Sequence, residues 1–318
     1  MSLAVQFSEY GATEHLRVVD VTPPAPGPGQ VRLAVRAAGV NPIDWKILQG
    51  AMREQIPLTL PAGLGSDVAG VVDAVGQGVT GIEIGDEVLG TSLTPSYAQS
   101  ALADPAALVA RPGTVPWHVA GALAGAGGTA WTVLERLKVT EGDTVLMHAA
   151  AGGVGTFAVQ LAAARGARVI GTASERNHGL LRELGALPVT YGPGLVERVR
   201  AVAPDGVDAV VDASGRGEIP DSIELAGGPE RVLTLVAFDA AGTGIQIHTG
   251  GAAGQGARAL GEILQLIQDG RLRVPVARTY GLTEAAAALE ASRTGHATGK
   301  IVLLTGAATG HDGSSEAP

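Results

Sequence analysis

Residues His148–Ala162, "HAAAGGVGTFAVQLA", set three alanines and three glycines between two apolar runs. Such small side chains let a backbone approach something closely. "VLMH" before them reads as the end of a strand. "VGTFAVQLAAARG" after them reads as a helix, because Val154, Phe157, Ala158, Leu161 and Ala162 fall on one helical face. A loop of this kind, opening a helix at the carboxyl edge of a parallel sheet, is where the pyrophosphate of a dinucleotide sits. The spacing Ala149, Gly152, Gly155 is the glycine fingerprint with alanine in its first place. Gly152, Gly153 and Val154 are then the pyrophosphate cradle, and Gly155 lets the helix lie close on its strand. An ordinary tight turn would use the same residue types, so the flanking elements carry the reading.

The second strand, "ARVIGTA", tests the cofactor. A strand ending in an acid suits the free ribose hydroxyls of NAD. Here Ser174 and Arg176 follow instead, and a hydroxyl with a guanidinium suits a 2′-phosphate. NADPH is therefore expected. Glu175 is the rival, and if it turned inward NADH would fit.

Around these residues the chain changes character near Pro116. Before it, "QVRLAVRAAGV" alternates as a half-buried strand, and "SDVAGVVDAVGQGVTGIEIGDEVLG" offers short strands broken by glycines, a small barrel or sandwich pattern. After it, strands alternate with helices of about ten residues, which means βαβ units on a parallel sheet. "PVTY" and "RVLTLVAF" are expected strands in that series. After Arg271 the order strand, helix, strand is expected to return to the first domain. The tail from Gly306 is polar and Gly/Ser-rich, as in disordered termini. "TGGAAGQGAR" reads as a mobile glycine-rich loop.

Composition excludes several chemistries. The 318 residues carry a net charge of −9 with no basic run, which argues against nucleic acid or an anionic membrane as partner. There is no cysteine, so thiol nucleophiles, disulfides and thiolate zinc sites are excluded. The seven histidines are scattered without an i, i+4 pair. His148, at a strand end, reads as a structural histidine. No leader pattern and no long apolar run is present, so a cytoplasmic protein is expected.

Taken together, "AAGVNPIDWKILQG", "PAGLGSDVAGVVDAVGQGVTGIEIGDEV", "AAGGVGTFAVQLA" and "TGKIVL", in that order, resemble the medium-chain dehydrogenase/reductase superfamily, and within it the zinc-free quinone oxidoreductases (the zeta-crystallin-like group). The resemblance covers about residues 1 to 305. It implies an α/β chain with a GroES-like β-rich catalytic domain (1–117, completed by 272–305), a Rossmann domain (118–271) and a disordered tail (306–318), paired as a homodimer. It also implies hydride transfer from NADPH to a small electrophile, a quinone or an α,β-unsaturated carbonyl. An enoyl or enone reductase of a biosynthetic pathway, or a non-catalytic NADPH-binding protein, would share fold and cofactor.

Carried over by position, Asn41 reaches the nicotinamide ribose and Thr129 lies near the nicotinamide or its phosphates. Ser174, Arg176 and Tyr191 surround the adenosine end. Val236, Ala237 and Phe238, at a strand end, line the carboxamide, and Lys300 touches phosphate. The group's usual lysine after the second strand aligns with Asn177, beside Arg176. Where zinc-dependent relatives have a His-Glu pair, this chain reads Gly65, Ser66, Asp67. Related reductases often place Tyr or Lys at the position of Lys46. If "NPIDWK" is extended, Asp44 and Lys46 face one side, and Asp44 could hold Lys46 as the cation that stabilises an enolate. An exposed Lys–Asp pair is the alternative.

Overall fold

The computed structural model describes residues 1–250, 256–295 and 297–306. The expected disordered tail beyond Gly306 and half of the expected glycine-rich loop (251–255) lie outside the described residues.

The first part is β-rich. It runs through β1 (Ser2–Phe7), β2 (Leu16–Val21), β3 (Val31–Val40), α1 (Pro42–Leu48), β4 (Ala62–Gly63), β5 (Asp67–Val75), β6 (Glu87–Thr91), β7 (Ser100–Ala103) and β8 (Leu108–Ala110). The alternation in β3 is the reason for its place. Val31, Leu33 and Val35 point into a core with Val68, Val72 and Val88, while Arg36 faces solvent.

The middle of the chain is α/β. Short α2 (Trp117–Ala120) and α3 (Ala124–Arg136) lead into β9 (Thr144–His148), α4 (Gly153–Ala164), β10 (Arg168–Thr172), α5 (His178–Glu183) and β11 (Ala186–Val189). The second half follows with α6 (Leu195–Val202), β12 (Ala209–Asp212), α7 (Ile219–Ala226), β13 (Val232–Thr234), β14 (Gln246–Ile247) and α8 (Gly256–Gln268). These six strands form one sheet in the order β11-β10-β9-β12-β13-β14, and every pair is parallel. Counted from β9, that order is 3-2-1-4-5-6, the doubly wound dinucleotide fold. Its strands are continuous apolar runs because both faces are covered.

The chain then returns through β15 (Val276–Gly281), α9 (Ala285–Arg293) and β16 (Lys300–Leu304). Strand β16 pairs antiparallel with β3 through Ile301↔Val40 to Leu304↔Ala37. The last strand is thus a neighbour of the third, inside the β-rich sheet.

Two expected elements differ. "NPIDWK" is helical, not extended: Pro42 occupies the first turn, where its missing N–H costs nothing, and the Asp44 carboxylate accepts the Asn41 backbone N–H at 2.8 Å. The strand expected over "RVLTLVAF" stops at Thr234, whose hydroxyl accepts the N–H groups of Val236 (3.1 Å) and Ala237 (2.9 Å) and turns the chain. Val236, Ala237 and Phe238 therefore follow the strand in a turn that enters a 3-10 helix (Phe238–Thr243).

Candidate functional site

Strands β9 and β12 are neighbours whose connections leave in opposite directions, so a crevice opens beyond their carboxyl ends. The glycine loop lies there. Gly152 stands at the N-cap of α4 in extended conformation, and no side chain caps the helix. The first-turn N–H groups of α4, including those of Gly153 and Val154, are the donors such a helix offers to an anion.

The loop's small residues have separate reasons. A Cβ on Gly155 would stand 2.4 Å from Ala149 O and 2.7 Å from Ala150 Cα, so the helix rests on backbone there. A Cβ on Gly153 would meet only the Lys300 stem at 3.2 Å and Gly299 O at 3.8 Å. Ala149 itself has φ +54°, a left-handed conformation in the place where the fingerprint has its first glycine.

The crevice floor is fully hydrogen-bonded. Asp212, ending β12, accepts the N–H groups of Ser214 and Gly215 at 2.8 and 3.1 Å, and Thr234 Oγ1 donates to its other oxygen at 2.8 Å. One carboxylate thereby shapes the loops after β12 and β13. His148, wholly buried, has Nε2 3.1 Å from Ser222 Oγ and Nδ1 3.3 Å from Thr172 Oγ1. The Ser222 hydroxyl donates to Glu218 O at 2.6 Å, which assigns the ring proton to Nε2. Burial holds the pKa of His148 below its usual value, and the ring is a neutral strut.

At the other end of the loop series, Ser174 precedes a 3-10 turn (Glu175–Asn177), and Glu175 and Arg176 are both exposed. Tyr191 lies beyond β11 and half-faces solvent. Arg216, in the loop after β12, sets its guanidinium 4.7 Å from the Tyr191 ring centre. Tyr191, Leu195, Arg216, Glu218 and Asp221 line a cavity of about 340 Å³ there. Arg216 is a second cation at this end that the sequence reading missed. Its signal was its place four residues past the end of β12.

On the β-rich side a polar cluster is buried beside the loop. Lys300 is 3% exposed and Asp67 1%, with Nζ 3.8 Å from Asp67 Oδ2. Asn41 bridges them: Lys300 Nζ donates to Asn41 Oδ1 at 2.5 Å, and Asn41 Nδ2 donates to Asp67 Oδ2 at 2.9 Å. Tyr97 OH donates to Asp44 Oδ2 at 2.8 Å. Burial pushes Asp44 up from 3.8 to about 6, against the opposing hydrogen bonds from Asn41 and Tyr97. Burial also raises Asp67, opposed chiefly by the Lys300 charge, and lowers Lys300. Tyr97 and the distant pairing of Asp67 with Lys300 were not read from the sequence.

Similarity to known proteins decides what this arrangement belongs to. Residues 27–134 match the alcohol dehydrogenase GroES-like domain, and residues 184–303 match the zinc-binding dehydrogenase domain. The chain is 33% identical to a quinone oxidoreductase of Pseudomonas aeruginosa, across 96% of this chain and all of the relative. It belongs to the medium-chain dehydrogenase/reductase superfamily, in its zinc-free quinone oxidoreductase group. Among solved structures, the quinone oxidoreductase of Coxiella burnetii is 33% identical with a TM-score of 0.85, covering 96% of this chain and all of the other. That of Escherichia coli, solved with NADPH, is 27% identical with a TM-score of 0.84, covering 95% and 100%. A mycocerosic acid synthase-like polyketide synthase of Mycobacterium tuberculosis is 32% identical over 87% of this chain, which spans 14% of that longer protein.

The zinc in the family description does not fit these residues. There is no cysteine, and among the described residues no group of three or more His, Asp or Glu is placed to hold a metal. Asp67, in the place of the zinc relatives' His-Glu pair, is spent on Asn41 and Lys300.

Several superfamily expectations change in geometry. Lys46 and Asp44 do not meet. Two residues apart on a helix point in different directions, Asp44 is buried on Asn41 and Tyr97, and Lys46 Nζ lies 5.6 Å from the Trp45 ring centre. Lys46→Met is therefore expected to leave kcat within about twofold of wild type, as for a half-buried lysine whose charge meets an aromatic ring and no carboxylate. A loss of about 100-fold in steady-state turnover would restore Lys46 to the chemistry. Lys300 gives two of its donors to Asn41 and to Val40 O, the latter at 3.2 Å, rather than standing free for phosphate. Thr129 is half-buried within α3, and Phe238 is exposed beyond β13.

A second consequence concerns Gly125, near the start of α3 and against the Asp67 carboxylate. Alanine in place of a helical glycine ordinarily stabilises by about 0.5–1 kcal/mol. Here the new Cβ would lie 2.6 Å from Asp67 Oδ1 and 3.1 Å from Asn41 Nδ2. Neither side chain can retreat without breaking the cluster. Gly125→Ala is expected to destabilise by about 1–3 kcal/mol, read as a lowered midpoint in urea.

Proposed function

We propose that this chain is an NADPH-dependent, metal-free oxidoreductase acting on a small electron-poor acceptor, a quinone or an α,β-unsaturated carbonyl. The observation that carries the reading is the uncapped, glycine-built N-terminus of α4 at the switch point of a 3-2-1-4-5-6 sheet. The likeness to an oxidoreductase solved with NADPH supports it. When bound, the nicotinamide supplies the hydride. The residues named here bind and orient. Gly152, Gly153 and Val154 offer backbone N–H groups to the pyrophosphate. Ser174, Arg176 and Tyr191 face the adenosine ribose. Val236, Ala237 and Phe238 border the nicotinamide end, and Asn41 offers its amide to the adjoining ribose.

NADPH is preferred over NADH in this reading because β10 ends in Thr172 without an acid, and Ser174 and Arg176 follow it with a hydroxyl and a guanidinium. Arg176→Ala should weaken NADPH binding and spare NADH. A wild type that prefers NADH would assign the ribose to Glu175. We also propose a homodimer, which light scattering tests, and a cytoplasmic setting. No helix of the described residues is long and apolar enough to cross a membrane.

The reading is tested by following NADPH absorbance with a panel of quinones and enones, before and after chelation. Turnover that survives chelation is expected. Turnover confined to long-chain enoyl thioesters favours a biosynthetic enoyl reductase, the second reading that the polyketide synthase similarity supports. Binding without turnover on any acceptor would leave a nucleotide-binding protein and contradict the proposal.

A further inference from the structure

Asn41 can be placed with its amide in two orientations that differ by exchanging oxygen and nitrogen. Its surroundings permit one. Oδ1 accepts from the Lys300 ammonium at 2.5 Å, and Nδ2 donates to the Asp67 carboxylate at 2.9 Å. The exchanged amide would set N–H against the ammonium and oxygen against the carboxylate, both repulsive and both in a buried site. One amide hydrogen is thus taken by Asp67, and among the described residues no hydrogen bond occupies the other.

We infer that Lys300 and Asp67 are positioning residues, which fix the Asn41 amide so that its remaining N–H is held ready for the nucleotide. The inference rests on the cofactor reading above, and assigns Lys300 a role through Asn41 rather than on phosphate. The lysine is itself placed by the phosphate loop. Gly299 N donates to Ala151 O at 2.9 Å, and the Lys300 stem lies 3.2 Å from where a Gly153 Cβ would be. The last strand of the β-rich sheet is in this way held against the phosphate loop by one backbone hydrogen bond and the Lys300 stem. A buried ion pair contributes little net stability against its desolvation. Its use here is the single orientation it imposes on the amide between its ends.

A double-mutant cycle on nucleotide affinity tests this, using Asn41→Ala, Lys300→Met and both together, with NADPH titrated by fluorescence. Each single variant should weaken binding about tenfold, the worth of roughly one hydrogen bond. The double should be no weaker than the weaker single, because Lys300 acts only through Asn41. Selective labelling of asparagine side chains adds a signature: the Asn41 amide proton that is bonded to Asp67 should be resolved and slowly exchanging in wild type, and lose protection in Lys300→Met. Should Lys300→Met alone fail to fold, combining it with Asp67→Asn removes the unpaired buried carboxylate and carries the same cycle. Additive losses would overturn the inference and place Lys300 on the nucleotide. An Asn41→Ala variant that binds as wild type would overturn it too, since nothing would be left to position. Failure of the unsubstituted protein to bind NADPH would overturn the cofactor reading itself, an outcome read before any variant is made.

Discussion

Gly155→Ala is expected to destabilise the protein by at least about 3 kcal/mol, at the upper end of overpacking costs, and to abolish nucleotide binding. The added Cβ would stand 2.4 Å from Ala149 O and 2.7 Å from both Ala150 C and Ala150 Cα. All three are backbone atoms of the loop that the helix rests on. Relief requires lifting α4 from β9, which uncovers Phe157, Ala158 and Leu161 from the central core. Gly153→Val is the contrasting case. Its Cβ would meet a lysine stem at 3.2 Å, which can give way. The melting temperature should stay near that of wild type while NADPH affinity falls at least tenfold, about 1.4 kcal/mol, because the branched side chain stands where the pyrophosphate must approach. Thermal melts and nucleotide titrations on the two variants separate the roles. Unchanged affinity in Gly153→Val would make the loop an ordinary turn.

The second large effect is a pH dependence centred on Asp44. Its carboxyl is raised by burial from 3.8 to about 6, so the folded state holds this proton more tightly than the unfolded chain does. The stability it contributes is fully present below the unfolded value and is lost as pH rises through about 6. The shift corresponds to up to about 3 kcal/mol. Asparagine cannot ionise, yet its oxygen can still accept from Asn41 N–H and Tyr97 OH. Relative to wild type, Asp44→Asn should therefore gain stability between pH 4 and pH 8. Urea unfolding at both ends of that range measures it. An equal difference at both pH values would show that folding does not raise the Asp44 carboxyl. Asp67, also raised by burial, leaves the remaining slope in the variant.

The phosphate loop was legible in the sequence because its function constrains residue size, and size is visible letter by letter. The parallel sheet was legible because continuous apolar strands alternate with amphipathic helices. The pairing of Asp67, Asn41 and Lys300 was not, because these residues are brought together by β16 returning to β3. Periodicity reports the existence of both strands and is silent on which strand lies beside which. Helix α1 escaped notice because seven residues are too few to show a helical period. Its cap instead reveals it: Asn41, then proline, then Asp44 three residues on. The early end of β13 depended on one hydroxyl, Thr234 Oγ1, choosing the N–H groups of Val236 and Ala237. Arg216 and Tyr191 meet only because the loops after β12 and β11 lead into neighbouring helices, α7 and α6.

That the carboxyl edge of the six-stranded sheet holds a dinucleotide is tested most directly by titrating the wild-type protein with NADPH and with NADH, following nucleotide fluorescence to saturation. Saturable one-to-one binding of NADPH, tighter than that of NADH and weakened at least tenfold in Gly153→Val, is the expected result. Absence of saturation with either nucleotide at millimolar concentration would contradict it.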